Sequence, residues 1–464
     1  MLLLVSDTIN RHYLYNVNNS YLEENMITEI LKNIIVGAPG SYNMLYLEIE
    51  IEGKADFERN PTVFHEYTHY LQNMTTINGF VSLDKYIHVL IRSFTKLGAD
   101  SVDPKIPLKN YHELQSVLGD RNIENIIRNR IVGMDFDSLT KKYLFQETSL
   151  DDYIISEQDY FDLYSGLSYK IPYIAIDGKN VPINETVIKE NMALVNSIIG
   201  NPKYTQLTKN NIDEILSYEH KEYNVLFDFI NHYLPDCDLL KLVYCICEIS
   251  LNIHFSEQIV GNILRLIQDE SAELSKMETD EIIYLIKEAI NYNVIFSKLF
   301  SIIKEQAIKK TNELFNLFDS SKNQFIGIMK SFYNFLIKGL EYRATEKTLY
   351  VNKLTNDYIQ KLATVIGCPI IFLKNENECI GLSETPEYFF NDFTYLHGAL
   401  KIFNLLYDSN VESCPFNDRK MCKVPKNNKC YNDCLSNYDN EVYKNCLLSN
   451  VLNCSGIRQE RRCT

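Results

Sequence analysis

The sequence has no tryptophan, and its 464 residues include only 12 prolines and 17 glycines. So few backbone breakers exclude collagen-like and low-complexity disordered chains. Long apolar runs are missing too. The most apolar stretch, LLKLVYCICEISLNIHF, is interrupted by Lys241 and Glu248, and nothing approaches the roughly 20 apolar residues of a membrane span. The N-terminus, MLLLVSDTIN, has no basic segment and only a four-residue apolar run after Met1. That is too short for a secretory signal, and a cytoplasmic protein is expected.

Positive charge is also in deficit. Lys and Arg number 46 against 61 Asp and Glu, a formal net charge of −15. An acidic surface repels phosphate backbones, so nucleic acid is not an expected partner. There is no Gly-rich phosphate loop, no Walker motif and no G-x-S-x-G, which leaves nucleotide and serine-hydrolase chemistry without support.

What is present is an ordinary globular balance, 45% apolar and 23% charged residues, in a chain long enough for two or three domains. The first 53 residues mix strand and helix signals. HYLYNV at 12–17 predicts a short strand, and Ser20 with Glu23 forms a capping box for a helix. After the break at GAPGS, Leu45, Leu47, Ile49 and Ile51 alternate with Tyr46, Glu48, Glu50 and Glu52. That period of two predicts a strand with one buried face, and the acidic outer face suits a sheet edge. Asn60 and Pro61 then supply an N-cap and a first helical residue for a helix over 61–73. Further helices are expected from 81, near 111–118 and near 121–132. YIAIDGKNVPI predicts a hairpin around Asp177 and Gly178, and Asn184 a cap for the helix ETVIKENMALVNSIIG. Residues 211–365 read almost wholly as helix, with a strand pair near 368–383 and one more helix near 391–406.

The helix over 61–73 carries HExxH. At 100° per residue, His65 and His69 lie about 40° apart, which puts their Cβ atoms about 5–6 Å apart. Two imidazoles so spaced can share one Zn²⁺, while Glu66, about 100° round from His65, is placed to reach a water on that metal. Thr62, His65, Glu66, Thr68, His69, Gln72 and Asn73 fill one polar sector. Val63, Phe64, Tyr67, Tyr70 and Leu71 fill the opposite, apolar one. The apolar back is expected to be buried and the polar face to line a cleft. The ordinary alternative is an amphipathic helix with a solvated His/Glu face. Against it, the polar face holds a single carboxylate and no Lys or Arg.

A catalytic zinc needs a third protein ligand. The metzincin pattern is absent, since Gln72 and Thr75 stand where it requires Gly and His. FHEYTHYLQ at 64–72 and IKENMALVNS at 188–197 together resemble the gluzincins, zinc metallopeptidases with a glutamate ligand on a later helix. FHEYTHYLQ is more narrowly similar to a group of bacterial zincin-like proteins. The resemblance spans about residues 40–200. It implies His65, His69 and Glu190 as zinc ligands, Glu66 as general base, a polypeptide substrate and capture of that substrate by the strand before the motif. The gap of 121 residues from His69 to Glu190 requires a large insertion, about 100–170. Glu190 also stands out without the resemblance. It lies at the border of an apolar face built from Val187, Ile188, Leu194, Val195, Ile198 and Ile199, beside the small Thr186, Ala193 and Ser197. His88, His112 with Glu113, Glu147, and Glu219 with His220 are weaker rivals.

The expected fold class is α+β, mostly α. A zincin-like region over 1–205, with a small mixed sheet, an active-site helix and a glutamate helix, would precede a helical domain over 206–410 and a Cys-rich segment over 411–464. Seven of the 12 cysteines lie between Cys414 and Cys463 with no CxxC pair. A second, structural metal, ordinary thiols and disulfides all stay open there. The five earlier cysteines read as core. The functional expectation is a zinc-dependent metallopeptidase, with room for a regulatory partner protein. A helical scaffold with a merely structural zincin-like part, and a metallohydrolase of a non-peptide substrate, are the alternatives.

Overall fold

The computed structural model describes residues 40–43, 48–51, 61–84, 154–162, 167–176, 179–199, 212, 221–253, 256–317, 324–345, 356–373 and 378–380. These form an α+β structure in which helices predominate. The expected strand at 12–17, the helices capped by Ser20 and near 111–118, 121–132 and 391–406, and the Cys-rich segment lie outside the described residues, as do His88, His112, Glu113, Glu147, Glu219 and His220. No helix among the described residues is long and apolar enough to cross a membrane.

Two small sheets flank the helices. In the first, β1 (Gly40–Asn43) pairs antiparallel with β2 (Glu48–Ile51). The second sheet is an antiparallel meander of β3 (Ile154–Asp162), β4 (Leu167–Ile176) and β5 (Lys179–Pro182). Ile176 pairs with Lys179, so β4 and β5 pair as the expected hairpin, while Asp177 and Gly178 lie outside the described residues. The strand β3 has no counterpart in the sequence reading. The first sheet is completed by β6 (Ile370–Leu373), parallel to β2, and β7 (Glu378–Ile380), antiparallel to β6. The pairing of 368–383 is therefore as expected, but its location corrects the reading of β2. With β1 on one side and β6 on the other, β2 is an interior strand, not an edge. Its alternation holds: Ile49 and Ile51 are fully buried and Glu50 is half-buried. The two residues of β2 that enter the core therefore point the same way, as a period of two requires.

The helices follow their local signals. The motif helix α1 spans Pro61–Thr75, and after a bend at Thr76 the chain is helical again over 77–84, starting before the expected residue 81. Helix α2 spans Glu185–Ile199, and Asn184 caps it, its Oδ1 accepting from the Val187 N–H at 2.9 Å. Then come α3 (Lys221–Tyr233), α4 (Leu239–Leu251), α5 (Ser256–Asp269), the short α6 (Ser271–Leu274), α7 (Thr279–Ala289), α8 (Tyr292–Leu317), α9 (Gln324–Thr345) and α10 (Asn356–Ile366). One hydrophobic core runs from Ile49 to Leu373, through all of Val63, Phe64, Tyr67, Tyr70 and Leu71. Cys245 and Cys247 are buried in it and Cys368 is buried, whereas Cys237, also read as core, is only partly buried against it. Burial, with the Glu248 charge nearby, pushes the Cys245 thiol up to about 12, far from a reactive thiolate.

Helix α1 is held from several directions. Tyr70 donates its hydroxyl to the Ile366 carbonyl at 2.9 Å. Arg343 of α9, buried, pairs with the buried Glu248 of α4 and donates to Thr75 Oγ1 at 2.9 Å. Just beyond the bend, the fully buried Asp84 accepts from Lys310 and from Tyr333 at 2.6 Å. Asp84, Glu248 and Arg343 are thus each paired and hydrogen-bonded, the condition under which burial of charge is tolerated. Helix α9 passes closest at Gly339, where a Cβ would lie 2.0 Å from the Met74 carbonyl oxygen. Gly339→Ala should therefore push α9 off α1. Overpacking of this kind costs roughly 1–3 kcal/mol, read as a lowered denaturant midpoint. Alanine at the exposed Ser301 should leave the midpoint unchanged.

Candidate metal centre

The polar sector of α1 faces α2 across a contact crossed by several side-chain hydrogen bonds. Asn196 donates to Thr68 Oγ1 at 2.8 Å, and Thr68 in turn donates to the Phe64 carbonyl at 2.7 Å. Gln72 donates through Nε2 to the Lys189 carbonyl at 2.9 Å. Lys189 reaches back to Asn73 Oδ1 at 3.3 Å. Pairing 68 with 196 and 72 with 189 runs the two helices in opposite directions. Ala193 and Ser197 are buried, in keeping with small residues beside Glu190 that let the helices approach.

Along this contact His65, His69 and Glu190 converge. Among the described residues they are the one group of His, Cys, Asp or Glu whose ligand atoms gather within 4.8 Å. His65 Nε2 lies 3.0 Å from Glu190 Oε2, His69 Nε2 lies 3.3 Å from the same oxygen, and the two Nε2 atoms are 3.2 Å apart. This near-equilateral triangle matches a metal site. Ligands at 2.0–2.1 Å on the corners of a tetrahedron are about 3.3–3.4 Å from one another, so the three atoms need to open only slightly to accept a zinc-sized cation. Two imidazoles and one carboxylate are also a common zinc donor set. The sequence-predicted ligands are therefore brought together, including Glu190 from 121 residues away.

The expected cleft is narrower than the helix pattern suggests. His65, His69 and Glu190 keep 18%, 13% and 20% side-chain exposure, whereas Thr68, Gln72 and Asn73 are buried under α2. Glu66 is buried too, at 6% exposure. It is not in the three-residue cluster, and its charge acts on His69, as its position round the helix requires.

Three Lewis-basic atoms this close repel one another unless a cation joins them. In the metal-free protein that cation is a proton. Burial, the largest influence on His69, pushes its pKa down. The charge and hydrogen bond of Glu190, with help from Glu66 and Gln72, outweigh burial and raise it from 6.5 to about 9. Glu190 shifts in the complementary sense. Burial would raise it, but the charge of His69 and hydrogen bonds from both histidines hold it well below the usual carboxylate range.

One residue of the arrangement carried no role in the sequence reading. Gln72 Oε1 lies 2.9 Å from His69 Nδ1, on the side of the ring away from the triangle. The available signal was its position three residues after His69, on the same helix face.

Comparison with protein-family models, curated proteins and solved structures finds no match to this chain.

The proton held by the triad ties the stability of the metal-free protein to pH. A raised histidine pKa contributes stability that is complete below the unfolded value of 6.5 and lost as pH rises through about 9. The lowered Glu190 pKa contributes above its ordinary 4.5 and is lost on acidification. The thermal midpoint of chelator-treated protein should thus fall between pH 6.5 and 9. In Glu190→Gln that fall should be largely abolished, as measured by calorimetry across the range.

Proposed function

We propose that the protein is a zinc-dependent metallopeptidase of the gluzincin type, with His65, His69 and Glu190 as metal ligands and Glu66 as general base. The convergence of the three ligand atoms into a triangle of near-tetrahedral edge carries this reading. The reaction class follows from the donor set and from the buried carboxylate one residue after the first histidine. The choice of a peptide bond as substrate follows from the HExxH and glutamate-helix resemblance.

Zinc, when bound, supplies Lewis acidity, polarising a carbonyl and bringing the pKa of water toward about 7. His65 and His69 bind as neutral imidazoles and Glu190 as a carboxylate, so loading displaces the proton that the triad otherwise holds. Glu66 accepts a proton at a carboxylate oxygen from the attacking water and hands it to the leaving amine. Its burial keeps that carboxylate out of bulk solvent, and the part exposure of His65, His69 and Glu190 leaves one side of the triad open.

Capture of an extended substrate by β2 is ruled out by the sheet order, since both edges of β2 are paired. Among the described residues β1 is the sheet's edge nearest the motif helix, and it packs against α1. It is the strand that could add a substrate chain.

Purified wild-type protein should contain one zinc by elemental analysis and cleave peptides. Glu66→Gln should retain the zinc and lose hydrolysis by about 10²–10⁴-fold, the contribution expected of a general base. Glu190→Ala should lose zinc affinity. A wild-type protein that takes up no zinc would overturn the proposal.

A further inference from the structure

The hydrogen bonds around Gln72 fix the protonation of an imidazole without any hydrogen being seen. A backbone carbonyl can only accept, so the group 2.9 Å from the Lys189 oxygen must be the Gln72 amide nitrogen. That leaves Gln72 Oε1 as the atom facing His69, at 2.9 Å from Nδ1. An amide oxygen also only accepts. The proton must therefore sit on His69 Nδ1, and in the neutral ring the Nε2 lone pair is then free to point into the triangle with Glu190 and His65.

We infer that Gln72 is a positioning residue for the metal centre: it locks His69 in the Nδ1–H tautomer and, through the Lys189 carbonyl, ties that ring to the backbone next to Glu190. The inference rests on the zinc reading of the triad. It adds that a neutral amide on the motif helix itself does the orienting. The three-residue spacing makes this local on one side, since positions three apart share a helix face. The Lys189 bond makes it tertiary on the other. A shift of α2 along α1 would release the amide, let the ring turn and move Glu190 in the same step. Gln72 is fully buried, so no solvent molecule competes for its amide.

The test uses Zn²⁺ alone as probe, with affinity measured by competition against a chromophoric chelator. Gln72→Leu keeps the volume and removes the acceptor, and should weaken zinc binding by about 10–100-fold, the usual cost of losing such a partner to a ligating histidine. Gln72→Glu restores an acceptor for Nδ1–H but sets its other oxygen against the Lys189 carbonyl, which only accepts, and should recover part of that loss. Equal affinity in wild type and Gln72→Leu would overturn the role of Gln72 while leaving the zinc reading intact. Absence of zinc binding in the wild type would remove both. A second measurement needs no variant. Nitrogen-15 NMR of the zinc-loaded wild type should show His69 protonated at Nδ1 and bare of hydrogen at Nε2, and the opposite tautomer would refute the inference even if Gln72→Leu failed to fold.

Discussion

Two imidazole nitrogens and a carboxylate oxygen held within 3.3 Å of one another need a cation among them, and the packing of α1 on α2 is what keeps them there. In water such groups would part, because each is better solvated alone. Here each is carried by a helix whose position is set by contacts other than the triad. The triad therefore does not assemble itself. It is compressed by the fold into an arrangement that a proton satisfies partly and that could hold a metal ion.

That compression explains why α1 is tethered so heavily. Its C-terminal end is fixed by Thr75 to Arg343, which is itself neutralised by Glu248. Its buried apolar back is fixed by Tyr70 to the end of α10, and near Met74 it lies close against α9 at Gly339. The segment after the bend is anchored by Asp84 to Lys310 and Tyr333. These partners come from residues 248 to 366, far along the chain from the motif. The long helical region is thus the wall against which the motif helix is pressed toward α2. Its contribution to the site is mechanical, through position, and is made by α4, α8, α9 and α10.

Much of this was legible in local sequence, and the rest was hidden for identifiable reasons. The limits of α1 and α2 followed from Pro61 and Asn184, because caps and first-turn residues act within a few positions. The pairing of β4 with β5 was legible because Asp-Gly between two apolar runs is a hairpin signal. Helical periodicity also separated His65, Glu66 and His69 from Tyr67 and Tyr70. It could not say what lay opposite. Thr68, Gln72 and Asn73 read as a cleft-facing surface and are buried, since a pattern of polar residues looks the same whether water or Asn196 and the Lys189 carbonyl satisfies it. The interior position of β2 was illegible for a related reason. Its parallel partner β6 lies more than 300 residues away by number, Glu48 against Ile370, and acidic side chains on one face do not report whether the strand's N–H and C=O groups are paired. The strand β3, IISEQDYFD, was missed because its charged residues obscure the alternation.

Burial of so many polar side chains between α1 and α2 also bears on what the contact is for. If the pair served stability alone, apolar residues at 68, 72 and 196 would do as well or better, because a buried hydrogen bond nets only about 1 kcal/mol while an unmade one costs more. Asn196 shows the cost directly: its Oδ1 is buried with no hydrogen-bond partner among the described residues. What hydrogen bonds add over apolar packing is direction. An apolar interface tolerates sliding by a fraction of a turn with little loss. Asn196 to Thr68 and Gln72 to Lys189 both fail if α2 shifts by one residue, about 1.5 Å along the helix. The tolerance of a metal triangle is smaller than that shift. A contact that forgoes some stability to fix register is the kind that two helices sharing a ligand set would require.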